Sequence, residues 1–462
     1  MHKIMRTKEV EHIFFIGIGG IGMSALARFY LLKGISVWGY DKTRSPLTEM
    51  LEREGATIYY SEDWESHLNS WQVGNSLIVY TPAIPETNLF LTTFKTLNFR
   101  LLKRSELLGE ITRFSKSLCI AGTHGKSTTS AMLAFLLSNS SLGCNAFLGA
   151  ISSNFGTNFR LDQNSDFTVL EADEYDRSFL QLSPYLSLIT SMDPDHLDIY
   201  GTPDKFQEGF KQFARKTDPQ GLLVLREGLD LGALSRTVTY ALDSSTADYS
   251  ATNIVETISG AKFTLRAKGQ FYHDICIGIH GLHNVENAVG ALAICSELGL
   301  DLRELALAFS QFKGIKRRFE KILVTDKLVY VDDYAHHPTE IRSLLKSLRN
   351  MYPGQKITGI FQPHLFSRTR DFGDDFAKEL SELDQLYLLP IYPAREEPIR
   401  GIDSDWLLAK ARLPHKAVIK PTELLDELRS FEEGVLVTIG AGDIDRLVGP
   451  ISELLTINLK PL

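Results

Sequence analysis

Two glycine-rich loops, each set between a short apolar run and a helix-periodic segment, constrain this chain more than any other feature. The first is Gly17-Ile18-Gly19-Gly20-Ile21-Gly22, between the strand-like His12 to Gly17 and the helix-like Met23 to Lys33. Glycines there permit a tight turn and let the backbone approach a diphosphate at the positive end of the helix. Asp41 stands 19 residues beyond Gly22, after a second strand-like run, Ser36 to Gly39. An acid at that spacing bonds a ribose hydroxyl. A turn that binds nothing is the plain alternative; strand, loop, helix and acid together favour a nucleotide or nucleotide-sugar site. Taken alone, the loop predicts a nicotinamide-dependent dehydrogenase.

The second loop is the stronger signal. Gly122-Thr123-His124-Gly125-Lys126-Ser127-Thr128 follows the apolar Leu118-Cys119-Ile120 and opens a helix over Thr128 to Leu137. Its amides face an anion, Lys126 reaches terminal phosphates, and the Ser127 hydroxyl suits Mg²⁺. The usual phosphate loop has glycine five positions before Gly125, where this chain has Ile120, so the loop is a shorter variant. Two acidic clusters follow later strand-like runs: Glu171-Ala172-Asp173-Glu174-Tyr175-Asp176 and Asp193-Pro194-Asp195-His196-Leu197-Asp198. Acid-rich loops are usually just solvated. At strand carboxyl ends beside a phosphate loop they supply hard oxygen ligands, with His196 as a further ligand or water-mediated partner. One Mg²⁺-nucleotide site is expected from the loop and both clusters.

Downstream, His283, Asn284 and Asn287 open an alanine-rich helix, where Asn amides either read an adenine edge or cap the helix. Lys316-Arg317-Arg318 is a basic joint, inert or able to bring charge onto a phosphate. Asp332-Asp333-Tyr334-Ala335-His336-His337 and Gln362-Pro363-His364 with Arg368 follow two further strand-like runs. Tyr, His and Arg together suit a small zwitterion, Arg368 pairing with its carboxylate.

Short apolar runs alternating with helix-length segments predict an α/β chain. At 462 residues it has room for about three domains, expected over 1–114, 115–318 and 319–462. With 49 Lys+Arg against 57 Asp+Glu the net charge is -8, which disfavours nucleic acid and anionic membrane. Cys119, Cys144, Cys276 and Cys295 are too sparse for a disulfide framework and lack CxxC spacing, which fits a reducing compartment. Lys3, Arg6 and Lys8 before Ile13 to Ile18 imitate a signal peptide, but Glu9, Glu11 and the ordered glycines argue against one. A soluble cytoplasmic protein with no membrane insertion is expected; the oligomeric state is left open.

In order, GIGGIGMS, AGTHGKSTT, EADEYD, DPDHLD, GLHNVENA, KGIKRRFE, DDYAHHPTE, FQPHLFSRT and GAGDI resemble the muramyl peptide ligases of bacterial peptidoglycan assembly, over about residues 12 to 445. The resemblance implies an N-terminal Rossmann-like domain for a UDP-sugar, a central P-loop-type ATPase with a mostly parallel sheet, and a C-terminal Rossmann-like domain for an amino acid. Within the family the pattern is similar to the enzyme joining L-alanine to UDP-N-acetylmuramate with ATP and Mg²⁺. A recycling ligase that adds a preformed tripeptide is the rival.

By that resemblance, Gly17, Gly19, Gly20, Gly22, Asp41, Thr81 and Ala83 hold the UDP-sugar. Gly122 to Thr128, His283, Asn287, Arg318 and Asp333 hold ATP. Ser127, Glu171 and His196 hold the metal, and Lys126, Glu171, His196 and Arg318 are catalytic. Tyr334, His336, His364 and Arg368 form the alanine pocket. Ser191 replaces a common Asn, Leu365 replaces an Arg, and Arg395 stands where Gly is usual. Lys211 lies in the region where sister ligases carry a carbamylated lysine, and that role is not assigned to it.

Overall fold

The computed structural model describes residues 10–61, 73–232, 234, 236–257, 259–394 and 396–458. Arg395 and the N-terminal Lys3, Arg6, Lys8 and Glu9 lie outside the described residues, as do the side chains of Leu197 and Asp198. The chain forms two compact units, Met1–Ile315 and Lys316–Leu462.

The first unit carries two sheets. In the first, β1 (His12–Ile16), β2 (Ser36–Tyr40), β3 (Thr57–Tyr59), β4 (Ser76–Tyr80) and β5 (Arg100–Lys103) run parallel in the order 3-2-1-4-5. Parallel neighbours need crossovers, which the helices Ile21–Leu32, Pro46–Arg53 and Leu89–Thr96 supply. The strand order reverses between β1 and β4, where an open α/β sheet has its ligand crevice. Gly17 and Thr81, just past those two strands, therefore stand at its mouth.

The second sheet contains β6 (Lys116–Ala121), β7 (Asn145–Ser152), β8 (Thr157–Arg160), β9 (Phe167–Glu171), β10 (Leu186–Ile189), β11 (Leu222–Arg226), β12 (Thr237–Leu242), β13 (Tyr249–Thr257), β14 (Gly260–Ala267) and β15 (Gln270–Ile277). Their order is 15-14-13-12-11-10-6-9-7-8. In that order the neighbours from β13 through β7 pair parallel; β8 runs against β7 at one edge, and at the other β14 runs against both β13 and β15. No helix-length segment separates β14 from β15, so they close through Lys268 and Gly269, both at positive φ, as a two-residue hairpin requires.

The two sheets share a core. Phe29, on the helix after β1, packs on Phe147 of β7 and Phe159 of β8, with ring centroids 5.6 and 6.0 Å away. Beside them Arg28 is only 4% exposed. Its guanidinium donates to Glu54 at 2.7 and 3.0 Å and to the Asn158 side-chain oxygen, since a buried charge must be paired. Asn158 in turn donates to Ser24 Oγ at 3.0 Å. The expected joint near 114 falls between the helix Arg104–Thr112 and β6, inside this unit.

The second unit holds β16 (Glu320–Val324), β17 (Leu328–Asp333), β18 (Ile357–Phe361), β19 (Gln385–Leu388), β20 (His415–Val418) and β21 (Gly434–Ile439), in the order 16-17-21-18-19-20. Only β16 is antiparallel. The strands β17, β18 and β21 are buried along their length, as a sheet covered on both faces demands. No helix among the described residues is long and apolar enough to cross a membrane. The four cysteines are free.

Candidate functional site

Strand β6 lies between β10 and β9, so three loops leave adjacent strands at one sheet end. After β6 the chain turns at Gly122 (φ 137°) and Gly125 (φ 82°), backbone that favours glycine. A Cβ at Gly125 would stand 2.6 Å from Asn287 Oδ1, so the helix Leu282–Glu297 sets Asn287 against the phosphate loop. The loop is tied to the segment after β10. Thr123 Oγ1 donates to the Asp193 carbonyl at 2.7 Å, and the His124 amide donates to Ser191 Oγ at 2.8 Å. Ser191, where the family often has Asn, thus bonds the phosphate loop through its hydroxyl.

Lys126 and Ser127 open the helix Lys126–Ser138 and face the acidic loop after β9. Ser127 Oγ donates to Glu171 Oε2 at 2.8 Å. Lys126 Nζ donates to the Gly122 carbonyl at 2.6 Å and pairs with Glu174 Oε2 at 2.8 Å. Burial alone would lower the Lys126 pKa; the carboxylates of Glu174, Glu171 and Asp173 outweigh it and raise the pKa. Burial raises the Glu171 carboxyl, with Lys126 opposing. His196, at φ 52°, stands 3.9 Å from Glu174 Oε1 and 3.8 Å from Asp195 Oδ2, edge-on to Tyr175.

Of the expected metal set, Ser127 and Glu171 are in direct contact, whereas His196 shares Glu174 with Lys126. Glu174, 2% exposed, was legible only as one acid of a cluster. No three His, Cys, Asp or Glu residues are grouped to hold a metal among the described residues. The hydroxyl–carboxylate pair at Ser127 and Glu171 fits Mg²⁺, which takes one or two protein oxygens beside substrate phosphates. His283 lies over Gly281, where a Cβ would meet its ring at 2.6 Å, and Asn284 donates to the His280 carbonyl at 2.6 Å. Thr128 is buried in the first turn of its helix. Lys211 is half-buried on the helix Pro203–Ala214.

The first glycine loop is held by its own backbone. The amides of Gly17 and Ile18 donate to the Tyr40 carbonyl at 2.7 and 3.1 Å, and Gly20 donates to the Gly17 carbonyl at 3.2 Å. Asp41 accepts from the Gly19 amide at 2.8 Å and from the Thr43 amide at 3.1 Å. The acid expected on a ribose thus buttresses the turn itself. Thr81 and Ile84 flank Gly17, each 3.3 Å from where its Cβ would be, and Ala83 is exposed in the same turn. At Gly22 a Cβ would collide with the Arg104 guanidinium, a residue for which the sequence offered no signal.

In the second unit, β17 and β18 flank β21, and the loops after them meet. Asp333 accepts from the Phe319 amide at 2.7 Å and the Ala335 amide at 2.8 Å. Burial pushes its carboxyl up to about 6, against the pull of Arg318. Arg318 pairs with Glu340 at 3.3 Å and lies 5.2 Å from the Tyr334 ring centroid. His336 Nδ1 donates to the Tyr334 carbonyl at 3.0 Å, and burial lowers its pKa to about 4. The His364 ring lies 6.3 Å from His336 and is stacked on Tyr392, and Arg368 Nη1 reaches His364 Nδ1 at 3.4 Å. Tyr334, His336, His364 and Arg368 are thereby gathered in one place. His337 instead accepts from the Thr339 amide and caps the helix Pro338–Met351.

Comparison with known proteins identifies the class this site defines. Residues 12–116 match the Mur ligase family catalytic domain, 120–295 the Mur ligase middle domain, and 317–443 the Mur ligase glutamate ligase domain. The chain belongs to the Mur ligase family. It is 46% identical to UDP-N-acetylmuramate–L-alanine ligase of Parabacteroides distasonis, over 99% of this chain and 100% of that protein. It is also 46% identical to the Porphyromonas gingivalis (strain W83) enzyme of the same name, over 96% and 99% of the two chains. The crystal structure of UDP-N-acetylmuramate-alanine ligase from Thermotoga maritima matches with a TM-score of 0.81 at 27% identity, covering 96% of this chain and 98% of that one.

Proposed function

We propose that this chain is an ATP-dependent ligase that joins L-alanine to the lactyl carboxylate of UDP-N-acetylmuramate, releasing ADP and phosphate, in peptidoglycan precursor synthesis in the cytoplasm. The observation that carries this is near end-to-end likeness to enzymes of that name, at 46% identity. The lactyl carboxylate oxygen attacks the γ-phosphorus of ATP and ADP leaves. The alanine amine then attacks the acyl carbon, the C–N bond forms, and inorganic phosphate departs as the amine loses its proton.

The protein's part is positioning and charge neutralisation. Gly122 to Thr128 would cradle the ATP phosphates, with Lys126 leaving Glu174 to meet the terminal one. Asn287, already against Gly125, and His283 would serve the adenosine side, with Arg318 and Asp333 as further ATP residues. Ser127 and Glu171 would hold Mg²⁺, with His196 as the third group; the bound ion neutralises phosphate charge. Gly17, Gly19, Gly20, Gly22, Thr81 and Ala83 would line the sugar-nucleotide crevice, with Asp41 keeping its turn. Arg368 would pair with the alanine carboxylate beside Tyr334, His364 and a neutral His336.

Phosphate release from ATP tests this directly, with UDP-N-acetylmuramate plus either L-alanine or the L-Ala-γ-D-Glu-diamino-acid tripeptide. Release that needs both the sugar and alanine is expected. Release only with tripeptide would make the chain a recycling ligase, and none with either would remove the ligase assignment.

A further inference from the structure

Arg104 touches the first glycine loop, at Gly22, and the acidic loop after β9, at Asp173. It starts the helix Arg104–Thr112, directly after β5, at the same sheet end as Gly17 and Thr81. Its Nη1 packs closely on Gly22, where a Cβ would stand 2.3 Å from it and force the guanidinium to move. Its Nη2 pairs with Asp173 Oδ2 at 3.1 Å, in the loop that carries Glu171 and Glu174. Next to it, Lys103 Nζ at the end of β5 pairs with Asp176 Oδ2 at 3.1 Å, a second tie between this sheet end and the acidic loop. Asp173 is itself anchored, accepting from the Tyr175 amide at 3.1 Å, so its position is set by the backbone.

The glycine loop, Gly and Ile throughout, has no charged side chain of its own, and the amides of Gly17, Ile18, Gly19 and Gly20 are bonded to Tyr40, to Asp41 or within the turn. The Arg104 guanidinium is the cation set directly against Gly22, where a diphosphate on this loop would lie. Arg104 remains partly exposed, 23% of its side chain, so a ligand can reach it. Planar guanidinium donors hold two acceptors at once, which lets Arg104 keep Asp173 while bonding a phosphate oxygen.

Resting on the ligase assignment above, we propose that Arg104 binds the diphosphate of the sugar nucleotide, and that through Asp173 it registers that diphosphate against the ATP site. The residue joins two substrates' loops without belonging to either glycine motif.

The test is calorimetric binding of UDP, and of UDP-N-acetylmuramate, to the full chain in the presence of a non-hydrolysable ATP analogue. Arg104→Met is expected to weaken both ligands about 10–100-fold, the range for a lost charged hydrogen bond, and to leave affinity for the ATP analogue within about threefold. Arg104→Lys should recover part of the loss. Asp173→Ala breaks the same ion pair but keeps the guanidinium, so UDP affinity should fall far less than in Arg104→Met. Equal losses in the two variants would reduce the pair to a strut between sheets and overturn the proposal. So would unchanged UDP binding in Arg104→Met, or a loss confined to the sugar-bearing ligand. Wild-type protein that binds neither ligand would instead remove the ligase assignment on which the proposal stands.

Discussion

Lys126 Nζ lies 2.8 Å from Glu174 Oε2, and that carboxylate is 2% exposed. The lysine that would meet the ATP phosphates is therefore also the partner that makes a buried negative charge tolerable. Lys126→Met is expected to lower turnover by roughly 10²–10³, as for loss of one electrostatic stabiliser. It should also destabilise the first unit, since stranding a buried charge costs about 3–5 kcal/mol. The double variant with Glu174→Gln should regain most of the melting temperature and none of the turnover. A double variant as unstable as Lys126→Met alone would show that the ion pair is not the source.

Gly125 is constrained twice, by its φ of 82° and by Asn287 Oδ1 where its Cβ would go. Gly125→Ala should strain the loop by about 1–2 kcal/mol and displace Asn287. Affinity for an ATP analogue is expected to fall about tenfold or more while UDP affinity stays near wild type. A parallel loss of both would point to general unfolding.

Ser191 holds the phosphate loop through the His124 amide. Ser191→Ala removes the acceptor, and loss of one such bond, about 1 kcal/mol, corresponds to roughly a fivefold rise in KM for ATP. The KM for alanine should not move. Steady-state kinetics with each substrate varied in turn distinguishes the two.

Opposite proton linkages meet in the second unit. His336 is held down to about 4 from an ordinary 6.5 by burial, although Glu340 favours its charged form. Its contribution to stability is present above pH 6.5 and lost as pH falls toward 4. Asp333 is pushed from 3.8 up to about 6 by burial, although Arg318 favours its charged form. Its contribution is present below pH 3.8 and lost as pH rises through 6. The two slopes oppose each other across about pH 4–6, each up to ~1.4 kcal/mol per pH unit. Relative to wild type, Asp333→Asn should make stability climb with pH in that window, and His336→Gln should make it decline. Denaturant unfolding from pH 4 to 7 measures both, and matching profiles in all three proteins would count against the linkage.

The strands and loops that bind phosphate were legible because they obey local rules. An apolar run, a glycine turn and a helix start can be recognised over a dozen residues, as at Leu118 to Thr128. The helix there begins at Lys126, earlier than periodicity suggested, since a glycine at positive φ opens it. Strands β13 to β15 escaped notice because they pair antiparallel through short turns, with no helix-length segment between them to mark a crossover. Glu174 and Arg104 escaped for another reason: each is defined by a partner 48 or 69 residues away. Composition near them shows a charge, and only the packed sheets show what it faces. Asp41 was found by spacing; its bonds to the Gly19 and Thr43 amides, which depend on how the turn closes, were not.

Arg28 decides how this chain can be recombined. A crossover after Phe114 would separate it from Asn158 and lay the Phe29 face, with Phe147 and Phe159 on the other side, open to water. A graft of the first sheet onto a distant relative must carry an acceptor for that guanidinium and an aromatic bed for Phe29, or the chimera inherits an orphaned ion at its seam. Exchange of the sugar-binding sheet is thus coupled to the strands β7 and β8, which travel with it as a hereditary pair.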